Sequence, residues 1–269
     1  MLINWFPGHM ASAIKKIKQV KPLDLIIEIV DARAITISKN EELLKELNKP
    51  KMTIALKEDL SDTKTLNVPD DVLVGSIKDV NFKREVLDMI YDFFKDKISN
   101  LKAKGLLVPQ FYIMVVGLPN VGKSSFINFV SSYGTKALVE NKPGLTRKNQ
   151  MIKINDNLFL YDTPGIMIKR IENQEHGYVL GLLNLIKKEV LPLKETCMWA
   201  FNYLKNKYTE QFFKFFPNPL HINFEDFISS LCRRYSFIGR EGVFDTERAM
   251  EFFLNSIRDG NICKVNYEK

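Results

Sequence analysis

The chain has 269 residues, of which 45% are hydrophobic and 26% are charged, as in a globular protein with one large domain or two modest ones. No stretch is apolar enough to span a bilayer, and the first residues lack the basic-then-apolar pattern of a secretory signal. The net charge of +7 fits a polyanionic partner and, equally well, a lysine-rich solvated surface.

The three cysteines, Cys197, Cys232 and Cys263, are far apart in the sequence. Their spacing predicts neither a disulfide framework nor a metal knuckle and fits a reducing cytoplasm. The three histidines form no cluster with them, so structural zinc is not expected.

Apolar runs in the first third of the chain predict three strands. The run at 23–30 ends in Asp-Ala-Arg at 31–33, and the run at 51–56 continues into Lys-Glu-Asp at 57–59. A third run begins at Val72 and ends in a Ser-x-Lys turn at 76–78. The sequence leaves open whether Asp31 and Arg33 touch a functional site or only pack at the edge of the sheet.

The segment 82–94 predicts an amphipathic helix that covers one face of the sheet. Its apolar residues recur at helical spacing, as expected for a buried stripe. They are Phe82, Val86, Leu87, Ile90 and Phe93.

Residues 117–124 match the phosphate-binding pattern GxxxxGKS, between a predicted strand at 111–116 and a predicted helix at 125–130. Backbone N–H groups of such a loop surround phosphates, and the helix N-terminus adds partial positive charge. We expect Lys123 to reach the β- and γ-phosphates and the Ser124 hydroxyl to bind Mg²⁺. The alternative, a chance glycine-rich turn, does not explain the flanking strand and helix. The predicted phosphate contacts are Asn120, Val121, Gly122, Lys123, Ser124 and Ser125.

A second phosphate-site motif, Asp-Thr-Pro-Gly at 162–165, follows a predicted strand at 158–161. Asp162 is placed to hold Mg²⁺ through water, and the Gly165 N–H to contact the γ-phosphate. Thr146, in the intervening loop, is a candidate second Mg²⁺ ligand that becomes ordered with a γ-phosphate.

No Asn-Lys-x-Asp motif, the usual reader of guanine, follows Gly165. The corresponding elements lie upstream: Lys57 and Asp59, and the Ser-x-Lys turn with Ser76 and Ile77. The motif order is therefore that of a small GTPase after circular permutation, which a fold tolerates when its original termini lie close together.

The C-terminal part is rich in aromatic residues and predicts further helices at 223–233 and 245–258. An aromatic stripe at helical spacing is more often core than an RNA-stacking surface. The stripe comprises Trp199, Phe201, Tyr203, Tyr208, Phe212, Phe213, Phe215 and Phe216. The candidate RNA-phosphate contacts are Arg233, Arg234, Arg240 and Arg258.

These motifs, in this order, resemble the circularly permuted ribosome-assembly GTPases of the ribosome biogenesis GTPase A (YlqF/RbgA) type. The resemblance also includes the Trp-Phe-Pro-Gly-His segment at 5–9 and the stretches 239–249 and 253–260. It implies GTP binding, slow hydrolysis that the large ribosomal subunit stimulates, and a role late in assembly of that subunit. It also implies a helical C-terminal domain that contacts ribosomal RNA.

The resemblance implies roles for two further residues. The residues after Gly165 are apolar, and the family is thought to use the N-terminal histidine, here His9, to orient the attacking water. The alternative for His9 is a turn residue that anchors the N-terminus. Asn120 is either a K⁺ ligand, as in potassium-activated relatives, or a turn former.

The chain departs from the family pattern at Leu56, where the guanine-reading motif usually has an asparagine. Leucine can neither contact guanine N7 nor hydrogen-bond the phosphate loop. Asp59 remains as the discriminator against adenine, and Lys57 can cover the base with its aliphatic stem. We expect weaker GTP binding, by on the order of 1 kcal/mol, with guanine preference retained.

The sequence as a whole predicts a three-layer α/β P-loop GTPase domain with permuted motif order over 1–170 and a small all-α, RNA-binding domain over 171–269. The predicted reaction is hydrolysis of GTP to GDP and phosphate with Mg²⁺ and a K⁺ site, with Lys123 and His9 as catalytic residues. The predicted partners are GTP or GDP and the large ribosomal subunit with its rRNA, for a cytoplasmic monomer without membrane contact. Two alternatives remain: an RNA-binding assembly placeholder with little or no turnover, and a P-loop ATPase unrelated to ribosomes.

Overall fold

The structure is a computed structural model that describes residues 8–131, 150–168, 171, 173–216 and 222–268, with side chains described from residue 12 onward except at residue 150. Of these residues, those from 8 to 168 and those from 266 to 268 form one compact unit, and those from 171 to 265 form a second. The first unit contains a sheet and the second is helical.

The described part of the first unit contains a six-stranded sheet. Its strands are β1 Leu25–Asp31, β2 Lys51–Leu56, β3 Val72–Val74, β4 Phe111–Gly117, β5 Gln150–Asn155 and β6 Leu158–Asp162. Their spatial order is β3-β2-β1-β4-β6-β5, and all neighbours are parallel except β5, which is antiparallel to β6.

The central strand β1 is buried along its whole length, which explains its nearly continuous run of leucine, isoleucine and valine. The register of the parallel strands aligns their carboxyl ends. Asp31 lies opposite Leu56, and Val115 of β4 lies opposite Asp162 of β6. The residues that follow these strands are therefore brought to one edge of the sheet.

Helices cover both faces of this sheet. The helices of the first unit are α1 Gly8–Lys18, α2 Glu41–Leu47, α3 Phe82–Ala103 and α4 Lys123–Val130. Ile17 of α1 and Leu43 of α2 share a buried cluster with Met114 of β4. Phe94 of α3 stacks on Phe111 of β4, with ring centroids 4.1 Å apart. Side chains three positions apart on a strand point to opposite faces, so these contacts define three layers, as predicted.

Several predicted boundaries need correction. The helix predicted over 82–94 continues to Ala103, because Phe94, Ile98 and Leu101 extend its less exposed stripe. The strand that begins at Val72 ends at Val74, since the Ser76 hydroxyl accepts the Lys78 N–H and closes a turn. Helices α1 and α2 and strand β5 were not predicted from the sequence.

The second unit has a core of phenylalanines. Its helices are α5 Gln174–Leu182, α6 Leu193–Lys207, α7 Thr209–Phe215, α8 Phe224–Tyr235 and α9 Thr246–Arg258. Phe227 lies at the centre of this core, with its ring 5.0 Å from that of Phe201, 5.5 Å from Phe212 and 4.9 Å from Phe253. All four are buried. For Phe201 and Phe212, the prediction that the aromatic stripe is core is confirmed.

Polar caps set where three of these helices begin. Asn173, Asn223 and Asp245 each accept a backbone N–H from the first turn of α5, α8 and α9, respectively. At the other end of α9, Arg258 is partly buried and donates from Nη2 to the Gly181 carbonyl at 2.6 Å. Arg258 is therefore engaged in packing, which makes it a poorer RNA contact than the sequence predicted.

Among the described helices, even the 22-residue α3 lacks the apolar stretch that crossing a membrane requires.

Candidate functional site

Two groups of predicted site residues lie at the carboxyl edge of the sheet. The phosphate loop follows β4, and Asp162 ends β6. Lys57 and Asp59 follow β2, and Ser76 follows β3. The chain runs outward from β1 through β2 to β3 and then crosses to β4 on the other side of β1. Ligands of open α/β sheets bind outside the carboxyl ends at such a reversal of strand order.

The phosphate loop has the backbone conformation that cradling an anion requires. Asn120 and Gly122 have φ angles of 57° and 116°. Alternation of such left-handed residues with ordinary ones turns successive N–H groups toward one point. A β-carbon at Gly117 would lie 2.5 Å from the Ile29 carbonyl oxygen, so only glycine fits at the start of the loop.

Lys123 is the first residue of α4 and is buried. Its Nζ donates to the carbonyl oxygens of Leu118 at 2.8 Å and Gly117 at 3.3 Å, across the loop. Burial lowers the pKa of Lys123 to about 8, although the nearby Asp162 carboxylate opposes this shift. The ammonium is thus a desolvated cation that an entering polyphosphate would stabilise.

Ser124 and Asp162 form the centre of the phosphate side. Ser124 Oγ donates to Asp162 Oδ2 at 2.8 Å. Asp162 Oδ1 is buried and accepts no hydrogen bond from the described residues. Burial raises the pKa of Asp162, and the Ser124 hydrogen bond and the Lys123 charge act against that shift. A carboxylate oxygen left open beside a hydroxyl is a donor set that fits a hard divalent cation such as Mg²⁺.

The segment after Asp162 passes close to the phosphate loop. Thr163 Oγ1 donates to the Val115 carbonyl at 2.6 Å, and the Ile166 N–H donates to the Gly117 carbonyl at 3.2 Å. A β-carbon at Gly165 would lie 2.6 Å from Pro119 Cα and 3.1 Å from Lys123 Nζ. Gly165 therefore lies directly against the phosphate loop, as its predicted contact with the γ-phosphate requires.

Buried hydrogen bonds through Asn40 also hold the segment after Asp162. Asn40 caps α2 and donates from Nδ2 to the Ile166 carbonyl at 3.2 Å. The Asn40 N–H donates to Glu28 Oε1 of β1 at 2.7 Å. Burial raises the pKa of Glu28, and the Asn40 hydrogen bond opposes that rise. The residue after Gly165 is thus fixed to both the phosphate loop and α2.

Asp59 has two side-chain partners on the base side of the site. Ser76 Oγ donates to its Oδ1 at 2.7 Å, and Lys78 Nζ donates to its Oδ2 at 2.6 Å. Partial burial favours the neutral acid, but the hydrogen bonds from Lys78 and Ser76 outweigh it and lower the pKa of Asp59. Asp59 is therefore held as a carboxylate, the form that accepts hydrogen bonds.

The sequence left open whether Asp31 touches the functional site, and the structure shows its contacts. Its carboxylate is fully buried at the end of β1 and accepts a hydrogen bond from Lys57 Nζ at 2.9 Å. Asp31 and, through it, Arg33 are thus connected to the predicted base-reading loop rather than only packed at the edge of the sheet.

Leu56 reaches the phosphate loop in spite of lacking a polar group. Its side chain is buried, and its Cδ1 lies 3.3 Å from the position that a β-carbon would take at Gly122. The expectation that Leu56 makes no hydrogen bond to that loop stands. Nonpolar packing nevertheless joins the two halves of the site at this point.

The remaining predicted residues differ in burial, and some lie outside the described part of the chain. Val121 is fully buried and Ser125 is half-buried within the loop and helix. Ile77 is 39% exposed, and its backbone N–H remains the predicted base contact. Thr146 lies outside the described residues. His9 is the second residue of α1, and its side chain lies outside the described part of the chain.

Two contacts were missed by sequence reasoning. Lys78 was noted only as the last letter of the Ser-x-Lys turn, yet it pairs directly with Asp59. The signal for that pair was the turn itself, because a Ser-x-Lys turn brings the lysine back beside the serine that also contacts Asp59. Nothing in the sequence pattern joins Asp31 to Lys57, because their contact depends on the pairing of β1 with β2.

Comparisons with known proteins agree with this geometry. A family model described as "50S ribosome-binding GTPase" matches residues 112–208. The chain is 40% identical to a "Probable ribosome biogenesis GTPase A" of Mycoplasma genitalium, over 99% of this chain and 96% of the relative. It is 28% identical to the "Ribosome biogenesis GTPase A" of Bacillus licheniformis, over 100% and 99% of the two chains.

A solved structure supports the fold. The crystal structure of GNP-bound YlqF from T. maritima matches with a TM-score of 0.69 and 21% identity, over 96% of this chain and 98% of that one. The match with the relative from M. genitalium spans both units rather than the phosphate loop alone. The chain belongs to the ribosome biogenesis GTPase A family.

Proposed function

We propose that this protein binds GTP, hydrolyses it to GDP and phosphate, and acts in late assembly of the large ribosomal subunit. The observation that carries the proposal is the Ser124–Asp162 pair beside Lys123 in a phosphate loop of the required conformation. Family membership supplies the cellular process, and the site supplies the chemistry.

In this proposal the protein's own groups bind and orient the triphosphate. Lys123 and the loop amides neutralise the β- and γ-phosphates, and the Gly165 N–H contacts the γ-phosphate. Ser124 and Thr146 would hold Mg²⁺ directly, and Asp162 would hold it through water. When bound, Mg²⁺ would neutralise the negative charge that develops on the phosphate groups. The open Oδ1 of Asp162 supports this assignment.

His9 positions the attacking water in this proposal. The apolar Ile166 and Met167 are both buried, so neither can polarise a water molecule. Asn120, which has a positive φ in the loop, is the proposed K⁺ ligand. The competing explanation is that Asn120 only forms the turn. Exchange of KCl for NaCl in a turnover assay separates the two roles.

Asp59 reads guanine by accepting its N–H donors, with Ser76 and Lys78 holding the carboxylate ionised. The Ile77 backbone N–H faces the guanine carbonyl. Without a polar side chain at Leu56, binding is weaker than in a site with the usual asparagine. ATP at equal concentration should fail to displace GTP; effective competition would instead favour the unrelated ATPase.

The helical part over 171–265 contacts ribosomal RNA in this proposal, and nucleotide state controls residence on the subunit through the loop around Thr146. The exposed Arg233 and Arg234 at the C-terminal end of α8 and the turn at Arg240–Gly242 provide the positive charge. The protein acts as a cytoplasmic monomer.

The deciding experiment measures phosphate release from GTP in KCl, with and without purified large ribosomal subunits. Strong stimulation by the subunit is the expected result. Subunit binding without any stimulation would favour the second candidate, an assembly placeholder with little turnover, for which the departure at Leu56 is the specific observation.

A further inference from the structure

Lys57, the residue proposed to cover the nucleotide base, is fixed at both its backbone and its ammonium. Its φ and ψ angles of 68° and 34° lie in the left-handed region, which non-glycine residues adopt at an energetic cost. Its Nζ lies 2.9 Å from Asp31 Oδ2, yet 26% of its side chain remains exposed. The stem of Lys57 therefore joins two fixed ends, and the side chain as a whole is partly open to solvent.

Asp31 is itself held rigidly. Arg33 donates to it from Nε to Oδ1 at 2.9 Å and from Nη2 to Oδ2 at 3.0 Å, and the Arg33 backbone N–H adds a third bond. The Asp31 N–H donates to Ser38 Oγ at 3.0 Å. Burial opposes ionisation, but the charges of Lys57 and Arg33 hold the pKa of Asp31 well below its usual range. Asp31 is thus an ionised anchor for Lys57.

The C-terminal segment, residues 266–268, supports the loop that carries Arg33. The Tyr267 N–H donates to the Arg33 carbonyl at 2.8 Å, and Glu268 Oε1 accepts the Ile37 N–H at 2.8 Å. Asn266 Nδ2 donates to the Thr65 carbonyl at 2.7 Å. The C-terminal segment therefore contributes three hydrogen bonds to the first unit, two of them to residues 33–37, which follow Asp31, and one to Thr65, in the segment after β2.

We propose that Asp31 is a positioning residue of the nucleotide site, which holds the stem of Lys57 over the base, and that the C-terminal segment is part of its support. This inference rests on the proposed function, since it requires that guanine nucleotides bind beside Lys57. Released from Asp31, the lysine stem would sample many rotamers, and each binding event would have to order it again.

The expected signature is a loss of affinity without a loss of chemistry. Lys57 would contact the base, which is the same in GTP and GDP and does not change during hydrolysis. Its position therefore affects ground state and transition state equally. A variant of Asp31 should raise the KM for GTP and the Kd for GDP by the same factor and leave kcat unaltered.

The test measures binding of a fluorescent N-methylanthraniloyl derivative of GDP to the full-length protein. Asp31→Asn and Lys57→Met, which retains an unbranched stem, should each raise the Kd about tenfold, or about 1.4 kcal/mol. The double variant should bind no more weakly than either single one, because both changes break the same pair. A chain ending at Val265 should show a two- to fivefold increase.

Lys97→Met is the matched control, since Lys97 also pairs with an aspartate of the same unit, Asp24, but from α3. Its Kd should equal that of the unaltered protein. Additive effects in the double variant, or an unchanged Kd in Lys57→Met, would overturn the role of Asp31. An unchanged Kd in the shortened chain would overturn the role of the C-terminal segment. Absence of GDP binding to the unaltered protein would instead refute the proposed function, and this inference with it.

Discussion

Asp31 illustrates how a single buried charge can determine behaviour in acid. Its pKa lies well below the usual range because Lys57 and Arg33 surround it, in spite of complete burial. A carboxylate with a lowered pKa in the folded state stabilises that state above its unfolded pKa of about 4. The stabilisation is lost as the pH falls below that value toward the folded pKa.

We therefore predict that Asp31→Asn flattens the fall in the free energy of unfolding between pH 4 and pH 2. The difference in slope should approach one proton, or about 1.4 kcal/mol per pH unit, in urea unfolding followed by circular dichroism. Asp156→Asn is the control, because Lys153 lowers the pKa of Asp156 too, but its side chain is 89% exposed. Equal slopes in the unaltered protein and Asp31→Asn would contradict the prediction.

Gly165 is constrained by its neighbours rather than by its backbone angles. Its missing side chain leaves room for Pro119 Cα and N, which would lie 2.6 and 2.7 Å from a β-carbon. Backbone atoms cannot rotate away as a flexible side chain can, so a methyl group here must displace the phosphate loop.

We predict that Gly165→Ala raises the Kd for GTP by at least about tenfold. Isothermal titration calorimetry measures this change, and an unaltered thermal midpoint would show that the fold survives. Gly239→Ala is the control, since its nearest neighbour would lie at an ordinary 3.5 Å. Retention of full affinity in Gly165→Ala would mean that the loop adapts without cost to binding.

At the scale of elements, α3 attaches to the sheet mainly through one face. Phe94 is 4% exposed and stacks on Phe111 of β4, whereas the adjacent Phe93 is 41% exposed, so the prediction that Phe93 belongs to the buried stripe is wrong. Phe93 and Phe94 therefore have the same side chain and are adjacent in α3, but they differ in burial.

We predict that Phe94→Ala lowers the free energy of unfolding by about 3–5 kcal/mol, because it leaves a cavity against β4. Phe93→Ala should lower it by about 1 kcal/mol or less. Chemical denaturation of both variants provides the measurement. Similar losses at the two positions would show that α3 is not anchored through the Phe94 face.

Local motifs made much of this architecture predictable. The phosphate loop and the Asp-Thr-Pro-Gly motif each combine a strand with its adjoining turn, so short stretches of sequence located Lys123, Ser124 and Asp162. Contacts that depend on register were not predictable. Asp31 and Lys57 are 26 residues apart, and Ile37 and Glu268 are 231 apart. The end of β3 at Val74 and the full length of α3 were also missed, because the turn at Ser76 and weak apolar positions decide where these elements end.

At the scale of the whole molecule, the proposed stimulation of hydrolysis involves the protein and the large ribosomal subunit together. We predict that His9→Ala abolishes stimulation of GTP turnover by the large subunit and changes the Kd for GTP less than twofold. Loss of a water-positioning group removes a contribution made in the transition state, so the defect should appear in kcat.

Phosphate release at saturating GTP and subunit provides this measurement. His176→Ala is the control, because His176 is an exposed histidine of α5. Full stimulation in His9→Ala would show that His9 does not position the attacking water.

The return of residues 266–268 to the sheet-bearing unit has a consequence for how the protein can be divided. The helical unit is an insertion, joined to the remainder by a covalent connection at each of its ends. A single protease cut between residues 168 and 173 would divide the chain into two polypeptides, and the second would keep residues 266–268, whose hydrogen bonds to Arg33 and Ile37 hold it to the first without a covalent bond. A stop codon at 171 would remove the helical unit and the C-terminal segment together. Only an internal deletion that retains residues 266–269 can separate loss of the proposed RNA-binding part from loss of the proposed support for the nucleotide site.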